Sequence, residues 1–414
     1  MRVLVIGSGG REHALVSKLA EHHEVTCAPG NPGMARDVEV IPIPVTDLAA
    51  LGQLATSGGF DLVVIGPEDP LVAGLSDQIR VCGVCVYGPS MAAARLEGSK
   101  AFSKRLMAEA AIPTAGFKVF TEVDPATDHA REVYGAGGQL AVKVSGNALG
   151  RGVAVCQNLE AALEAIQSAM VERKFGSAGE ILVLEEMMVG REFSLLTIVG
   201  SHNYVSLPIA QDYKRALDGD EGPNTGGMGS FSPCDWAADD LIHEVECRMV
   251  EPILAKLAAT GATFSGTLFT GVMVTESGPK CLEYNVRFGD PETQSIMMRL
   301  EGDFGQTLLQ SAKGEWIDPP AVSIRAAVTV VIASSGYPGR YLKGAPITIG
   351  AVPPAAKLFF AGVSEQGGQL VNSGGRVIAA TGTGSNIDDA RAVAYEAAKA
   401  VSFEGAYFRK DIAV

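Results

Sequence analysis

Lys280-Cys281-Leu282-Glu283-Tyr284-Asn285-Val286-Arg287-Phe288-Gly289-Asp290-Pro291-Glu292 is the stretch from which the chain is best read. It begins as an apolar strand and ends as a turn. A strand sends residues i and i+2 to one face, so Glu283, Asn285 and Arg287 are expected in one row. The carboxylate and the amide oxygen suit a hard cation such as Mg²⁺, which takes oxygen ligands and keeps several waters. The guanidinium suits a carboxylate or phosphate held by two parallel hydrogen bonds. Gly289 and Pro291 then end the strand. The competing reading is an edge strand with a solvated polar face, and the apolar strands on either side argue against it.

Working outward, residues 1–100 alternate apolar strands (3–6, 25–28, 62–65, 84–87) with helical segments. That alternation predicts a parallel sheet with helices on both faces. Such sheets bind ligands beyond the carboxyl ends of their strands. Three glycine- or proline-rich polar turns, at 7–10, 29–33 and 66–70, fall there. A helix at 99–110 leads into a small α+β module at 121–188. Residues 190–322 are mixed: a polar glycine loop at 211–230, a long helix near 239–259, strands at 268–275 and 281–285, and a helix around 293–314. Pro319-Pro320 marks a last boundary before a mixed segment, 323–414, with one helix near 388–400. The expected division is therefore 1–102, 103–322 with the module at 121–188, and 323–414.

The length of 414 residues agrees with roughly two to four domains. The net charge of −14, without long basic runs, argues against nonspecific nucleic-acid binding. It leaves room for small anionic substrates in local basic pockets. Seven scattered cysteines do not suggest a disulfide framework. Cys82 and Cys85 form a Cys-x-x-Cys pair within an apolar run, with no second pair and no nearby histidine, so both are expected as buried small hydrophobes. No segment looks like a signal peptide or approaches the ~18 apolar residues of a membrane helix. A cytoplasmic protein, monomeric or weakly dimeric and bound to neither membrane nor nucleic acid, is the expectation.

The first turn, Gly7-Ser8-Gly9-Gly10-Arg11-Glu12-His13, lacks the third glycine of a dinucleotide fingerprint, since Glu12 stands there. What remains is a glycine loop entering a helix, a natural anion site, and a substrate phosphate is the expected anion. Lys143 lies between Val142 and Val144 in an apolar strand, followed by a loop with Gly146, Gly150, Arg151 and Gly152. A strand lysine with a glycine loop can clamp a nucleoside triphosphate, although the spacing is not that of a P-loop. Glu185 and Glu186 end another strand, where the two readings are a solvated turn and a nucleotide contact in which Glu192 accepts from ribose hydroxyls. Asp212 opens the polar glycine loop and can take an ammonium.

These residues carry a resemblance. Gly9-Gly10-Arg11-Glu12-His13-Ala14, Gly66-Pro67-Glu68, Leu96-Glu97-Gly98-Ser99-Lys100-Ala101-Phe102, Gln211-Asp212, Gly222-Pro223-Asn224-Thr225-Gly226-Gly227-Met228-Gly229 and Asn285 through Glu292 are similar to the phosphoribosylamine–glycine ligases, ATP-grasp enzymes of purine biosynthesis. The likeness runs from residue 1 to Arg409-Lys410-Asp411-Ile412. It implies a multidomain α/β and α+β fold: an N-terminal parallel α/β domain, an ATP-grasp domain with a small lid module, and a C-terminal mixed α+β domain. It implies that ATP converts glycine to an acyl phosphate, which the amine of 5-phosphoribosylamine attacks, with Mg²⁺ or Mn²⁺ as the metal. It implies nucleotide-binding roles for Lys104, Lys143, Arg151, Glu185, Glu186 and Glu192, and metal-binding roles for Glu283 and Asn285. Asp212 and Arg287 are implied glycine contacts. Gly9, Gly10, Arg11, Glu12 and His13 are implied at the phosphoribosylamine phosphate, Asp290 in the turn on the acceptor side, and Glu68, Thr225, Gly226 and Gly227 as further substrate contacts. Ser145 and Arg151 stand where the family's lid loop carries aspartate and lysine. Other readings in view are a different ATP-grasp ligase or carboxylase, and a nucleotide-binding protein without activity.

Overall fold

The computed structural model describes residues 1–148 and 152–414. Arg2–Gly7, Glu24–Pro29, Glu39–Val40, Leu62–Ile65 and Val86–Tyr87 form an all-parallel sheet in which Arg2–Gly7 is central, flanked by Glu24–Pro29 and Leu62–Ile65. Val3, Leu4, Val5 and Ile6 are buried, as are Leu62, Val63 and Val64. Strands covered on both faces read as continuous apolar runs, which is why this sheet is legible in the sequence.

The lid is a four-stranded antiparallel sheet in the order Phe117–Phe120, Leu182–Glu186, Leu140–Val144, Val153–Cys156. Leu140, Val142, Val144, Leu182 and Leu184 pack with Ala126 and Ala130 of one helix and Ala162 and Ile166 of another. Side chains alternate across a strand, so Lys143 and Glu185 emerge on the opposite face, where Lys104 of the helix Lys100–Glu109 meets them. A second antiparallel sheet runs Tyr204–Ser206, Arg191–Val199, Gly266–Thr275, Gly278–Asn285.

A six-stranded sheet joins segments that the sequence divides. Gln211–Asp212 and Gly229–Ser232 pair with each other, and Gly229–Ser232 pairs in turn with Ala326–Ser334 of the last hundred residues. Arg376–Gly384, Ala356–Phe360 and Ala406–Tyr407 complete it. The loop expected at 211–230 is thus partly sheet, and its strands belong to the C-terminal layer. The single helix expected around 293–314 is two, Glu292–Met297 and Phe304–Lys313. Between them Leu300–Glu301 pairs with Ala321–Val322, and Gly302 turns the chain at φ +74°. Asp303 then caps the second helix by accepting from the Gln306 N–H at 3.2 Å.

Cys82 is exposed and Cys85 partly so, contrary to expectation. The apolar run there is a helix end, Leu75–Val81, followed by a left-handed Gly83, and Val81 itself is 88% exposed. No helix among the described residues is long and apolar enough to cross a membrane.

Candidate active site

Glu283 and Asn285 sit at the end of Gly278–Asn285. Glu283 opposes Gly271 and Asn285 opposes Phe269 in regular register, so the two project from one face while Tyr284 is buried behind them. The ladder shifts register one step earlier, before Glu283, and leaves this pair intact. Burial works to raise the Glu283 carboxyl, but Lys100, Lys214, Lys143 and Arg287 outweigh it and hold the group down to about 2. It is therefore ionised at neutral pH. Among the described residues neither side chain makes a hydrogen bond, so both oxygens are free to take a cation. No group of three or more His, Cys, Asp or Glu able to hold a metal occurs among the described residues. An ion here has two protein ligands and must complete its shell with phosphate oxygens and water. That is how Mg²⁺ is usually held.

Arg287 lies past the strand, and alternation no longer fixes its direction. Its Nη2 is 2.8 Å from Glu97 Oε1 and its Nε is 3.4 Å from Glu68 Oε2. Glu97 also accepts the Val286 N–H at 2.7 Å. Burial pushes the Glu97 carboxyl up to about 7 against the pull of Arg287, whereas Arg287 and Arg11 overcome burial at Glu68 and hold it near 2. The guanidinium expected on a ligand carboxylate is thus seated between two carboxylates of the first domain.

Beneath the lid, Glu185 is almost fully buried. Its Oε2 stands 2.8 Å from Lys143 Nζ and 3.0 Å from Lys104 Nζ. Lys104 Nζ also donates to Thr114 Oγ1 at 2.7 Å. Burial lowers the Lys104 ammonium, with Glu185 opposing. Glu185 Oε1 is buried with no hydrogen-bond partner, an acceptor without a donor. Glu186, the next residue, is exposed at the strand end, its N–H spent on the Gly116 carbonyl at 2.8 Å. The lid loop is tied at its base. Ser145 Oγ accepts from the Ala101 N–H at 3.1 Å, its carbonyl accepts from the Lys100 N–H at 2.8 Å, and Asn147 Nδ2 donates to Asp69 Oδ1 at 2.5 Å. Arg151 lies outside the described residues.

On the far side, Lys214 is ion-paired with Glu192, so the expected ribose acceptor holds a lysine here. Burial, with Glu292, Glu192 and Glu283 adding to it against Lys214, pushes the Asp212 carboxyl up to about 8. Burial also raises Glu292, which accepts from Ser194 Oγ at 2.8 Å.

The first glycine loop binds an anion, and that anion is internal. Glu12 Oε2 accepts the Gly9 N–H at 2.7 Å, Glu12 Oε1 is 2.5 Å from Arg11 Nε, and Asp290 Oδ2 accepts the Arg11 N–H at 3.3 Å. A Cβ on Gly7 would lie 2.3 Å from Glu12 Cγ, and one on Gly66 2.3 Å from Glu12 Oε1. Those glycines make room for the Glu12 side chain, and the amides of Gly9 and Arg11 are not presented to a ligand phosphate. Gly10 faces Gln294, whose Nε2 would be 2.7 Å from a Cβ there. His13 is a domain contact: Nδ1 accepts the Phe360 N–H at 2.8 Å, its ring stacks on Phe360, and burial lowers its pKa.

Asp290 joins three segments. It also accepts from Gln294 Nε2 at 2.9 Å, and Arg376 Nη1 donates to its backbone oxygen at 2.8 Å. Arg376 reaches the Gly226 carbonyl at 2.7 Å, Tyr337 Oη accepts the Gly226 N–H at 3.0 Å, and a Cβ on Gly227 would lie 2.4 Å from Pro291. Thr225 Oγ1 donates to the Lys214 carbonyl at 2.9 Å. Sequence reasoning gave no role to Glu97, Lys100, Lys214, Glu292 or Arg376. The first four lie inside or beside the quoted motifs. Arg376 follows Gly374-Gly375 far from any of them and carried no local signal.

Comparison with known proteins agrees with this geometry. The chain matches the N domain of phosphoribosylglycinamide synthetase over residues 1–97, its ATP-grasp (A) domain over 98–293 and its C domain over 327–414. It is 42% identical to the phosphoribosylamine–glycine ligase of Rhizobium meliloti (strain 1021), covering 100% of this chain and 98% of that one. Identity is also 42% to the enzyme of that name from Vibrio cholerae, with 100% and 97% covered. The crystal structure of the Thermotoga maritima phosphoribosylamine–glycine ligase superposes with a TM-score of 0.85 at 35% identity, over 99% of this chain and 100% of that one. The biotin carboxylase domain of Hydrogenobacter thermophilus 2-oxoglutarate carboxylase, solved with MgADP, ADP and bicarbonate, superposes at 0.74 and 17% identity over 98% and 91%, a likeness of fold alone.

Proposed function

The chain belongs to the phosphoribosylglycinamide synthetase family and ligates glycine to phosphoribosylamine in purine biosynthesis, and from that premise we propose how its residues divide the work. ATP lies between the Lys143 and Glu185 face of the lid sheet and the end of Gly278–Asn285. Lys143 and Lys104 meet its phosphates. Glu185 Oε1, the buried acceptor without a donor, takes the exocyclic amine of the purine. Glu186 lies at the adenine edge, Glu192 exchanges Lys214 for the ribose hydroxyls, and Arg151 adds positive charge for the phosphates.

Glu283 and Asn285 would hold a divalent ion, Mg²⁺ or Mn²⁺, which neutralises phosphate charge and orients the transferred group when bound. This pair carries the reading, because an ionised carboxylate among three lysines and an arginine is otherwise left without a hydrogen bond. The glycine ammonium docks on Asp212. Its carboxylate oxygen attacks the γ-phosphorus, the bond to the β-phosphate bridging oxygen breaks, and glycyl phosphate and ADP form. The amine of phosphoribosylamine then attacks the carbonyl carbon, loses a proton and expels phosphate. Arg287, held by Glu97 and Glu68, supplies positive charge beside the reacting carboxylate. Gly9–His13, Glu68, Thr225, Gly226, Gly227 and Asp290 shape the phosphoribosylamine side. Glu12 and Asp290 act there by holding the loop. Acyl phosphates hydrolyse in water, so lid closure protects the intermediate.

The domain division at 102 and 322, a cytoplasmic location, and a monomer or weak dimer binding neither membrane nor nucleic acid complete the reading. Glycine-dependent ADP release in the presence of phosphoribosylamine is the test. ADP formed with bicarbonate and not with glycine would overturn the assignment.

A further inference from the structure

The last residues of the chain reach the glycine side of the site from behind. Arg215–Leu217 and Glu221–Asn224 form a hairpin that, among the described residues, pairs with no other strand and carries a register shift. An isolated two-stranded hairpin is marginal in water, so this one needs partners. Its tip, Asp218–Asp220, is exposed and acidic, with Gly219 and Asp220 both at positive φ. The C-terminal tail supplies the partners. Arg409 is 2% exposed. Its Nη1 is 2.8 Å from Asp220 Oδ1 and 3.1 Å from the Arg215 carbonyl, while Nε and Nη2 grip Asp411 at 2.8 and 2.7 Å. Asp411 accepts the Gly219 N–H at 2.8 Å, and Asp218 accepts the Lys410 N–H at 2.7 Å.

The contact continues into the site. The Arg409 guanidinium lies 4.9 Å from the centre of the Tyr213 ring, and Tyr213 Oη accepts the Ala413 N–H at 2.9 Å. Tyr213 stands between Asp212 and Lys214 in sequence. Its ring packs with the C-terminal core, whereas its two neighbours lie with Glu192, Glu283 and Glu292. The tail therefore grips the back of a segment whose front is the glycine side.

We propose that Arg409, with Asp411, is a positioning residue for the known reaction: the C-terminal tail fixes the hairpin and Tyr213, and through them sets Asp212 and Lys214 for glycine. The inference rests on the reading that Asp212 serves the glycine ammonium. It assigns the tail no contact with ATP.

Arg409→Lys keeps the charge and loses the planar fork, and Asp411→Asn removes the fork's partner. Each is expected to raise the glycine KM about tenfold, the scale of one charge-assisted hydrogen bond. The ATP KM should change by less than the glycine KM, reached only through the Lys214–Glu192 pair, because among the described residues Lys104 and Lys143 make no contact with the tail. Amide hydrogen exchange in residues 213–225 should quicken about tenfold on the same scale, with exchange in the lid and the N-terminal sheet unchanged. Unaltered glycine KM and exchange in both variants would overturn the proposal. So would a loss in which ATP and glycine parameters decline together in step with the folded fraction. Asp212→Asn separates the premise from the inference. If it leaves the glycine KM unchanged the premise fails, while exchange in 213–225 still reports on the clamp.

Discussion

Replacing Glu185 by glutamine removes one charge from a site that holds three. The carboxylate is 2% exposed and is shared between Lys143 at 2.8 Å and Lys104 at 3.0 Å. Glutamine has the same shape and keeps one acceptor, but it leaves two ammonium groups in a buried site, with the Thr114 hydroxyl as the further hydrogen-bond partner among the described residues. Breaking a buried ion pair by removing one partner costs about 3–5 kcal/mol, and the retained acceptor places this variant near about 3. At about 2–4 °C per kcal/mol for a domain of roughly 200 residues, the melting temperature should fall by about 6–12 °C. ATP phosphates bring negative charge to the same two lysines. A non-hydrolysable ATP analogue should therefore raise the melting temperature more in Glu185→Gln than in the parent, narrowing the gap. Thermal melts with and without the analogue decide it. A variant that melts within about 1 °C of the parent would show that Glu185 does not carry the two charges. A lowered melting temperature with a smaller analogue-induced rise would show that the nucleotide needs the carboxylate more than the lysines do.

Three further outcomes are expected. Glu283→Gln should remove most turnover and weaken metal-dependent nucleotide binding, and turnover above about 10% of the parent would exclude this carboxylate as the metal ligand. Glu283 is held near 2, below the ordinary 4.5, so its contribution to stability is present above 4.5 and lost only as pH falls toward 2. No acid limb in activity above about pH 4 should come from it. Asp212 is pushed up to about 8, so it gains its proton as pH drops below that value. kcat/KM for glycine should rise about tenfold per pH unit up to about 8 and then level, a limb that Asp212→Asn should abolish; a flat parent profile would contradict the ammonium role. Arg287→Met strands Glu97 and Glu68, partly buried, and should cost about 3–5 kcal/mol at neutral pH. Without the guanidinium Glu97, already above its unfolded value, rises further and Glu68 keeps, of the two arginines, Arg11 alone against burial, so that stability is lost as pH rises and partly regained as it falls. Urea melts showing a deficit that grows toward pH 5.5 would refute that reasoning.

The N-terminal sheet was legible because residues 3–6 and 62–65 are uninterrupted apolar runs, the mark of strands buried on both faces. Glu283 and Asn285 were legible because period-two alternation is local and holds to the last residue of the strand. Arg287 lies two residues past the end of the strand, where alternation gives no direction and the partners at Glu68 and Glu97 are long-range. The glycine loop at 7–10 was read as a site for a substrate phosphate, but spacing alone does not tell that anion from the Glu12 carboxylate, which takes the Gly9 N–H three residues along. The pairing of Gly229–Ser232 with Ala326–Ser334 joins strands nearly a hundred residues apart and leaves no local pattern. Arg376 left no local signal for the same reason, and Arg409, although it opens the quoted ending Arg409-Lys410-Asp411-Ile412, was given no role, since each takes its place from contacts made across the fold.

Positional isotope transfer tests the central claim most directly. Glycine labelled with ¹⁸O in its carboxylate is incubated with the enzyme, ATP, Mg²⁺ and phosphoribosylamine, and the released phosphate is analysed by mass. Passage through glycyl phosphate predicts one labelled oxygen in each phosphate formed, because the attacking carboxylate oxygen leaves with phosphorus. Unlabelled phosphate, with both labelled oxygens unaccounted for in it, would contradict the account.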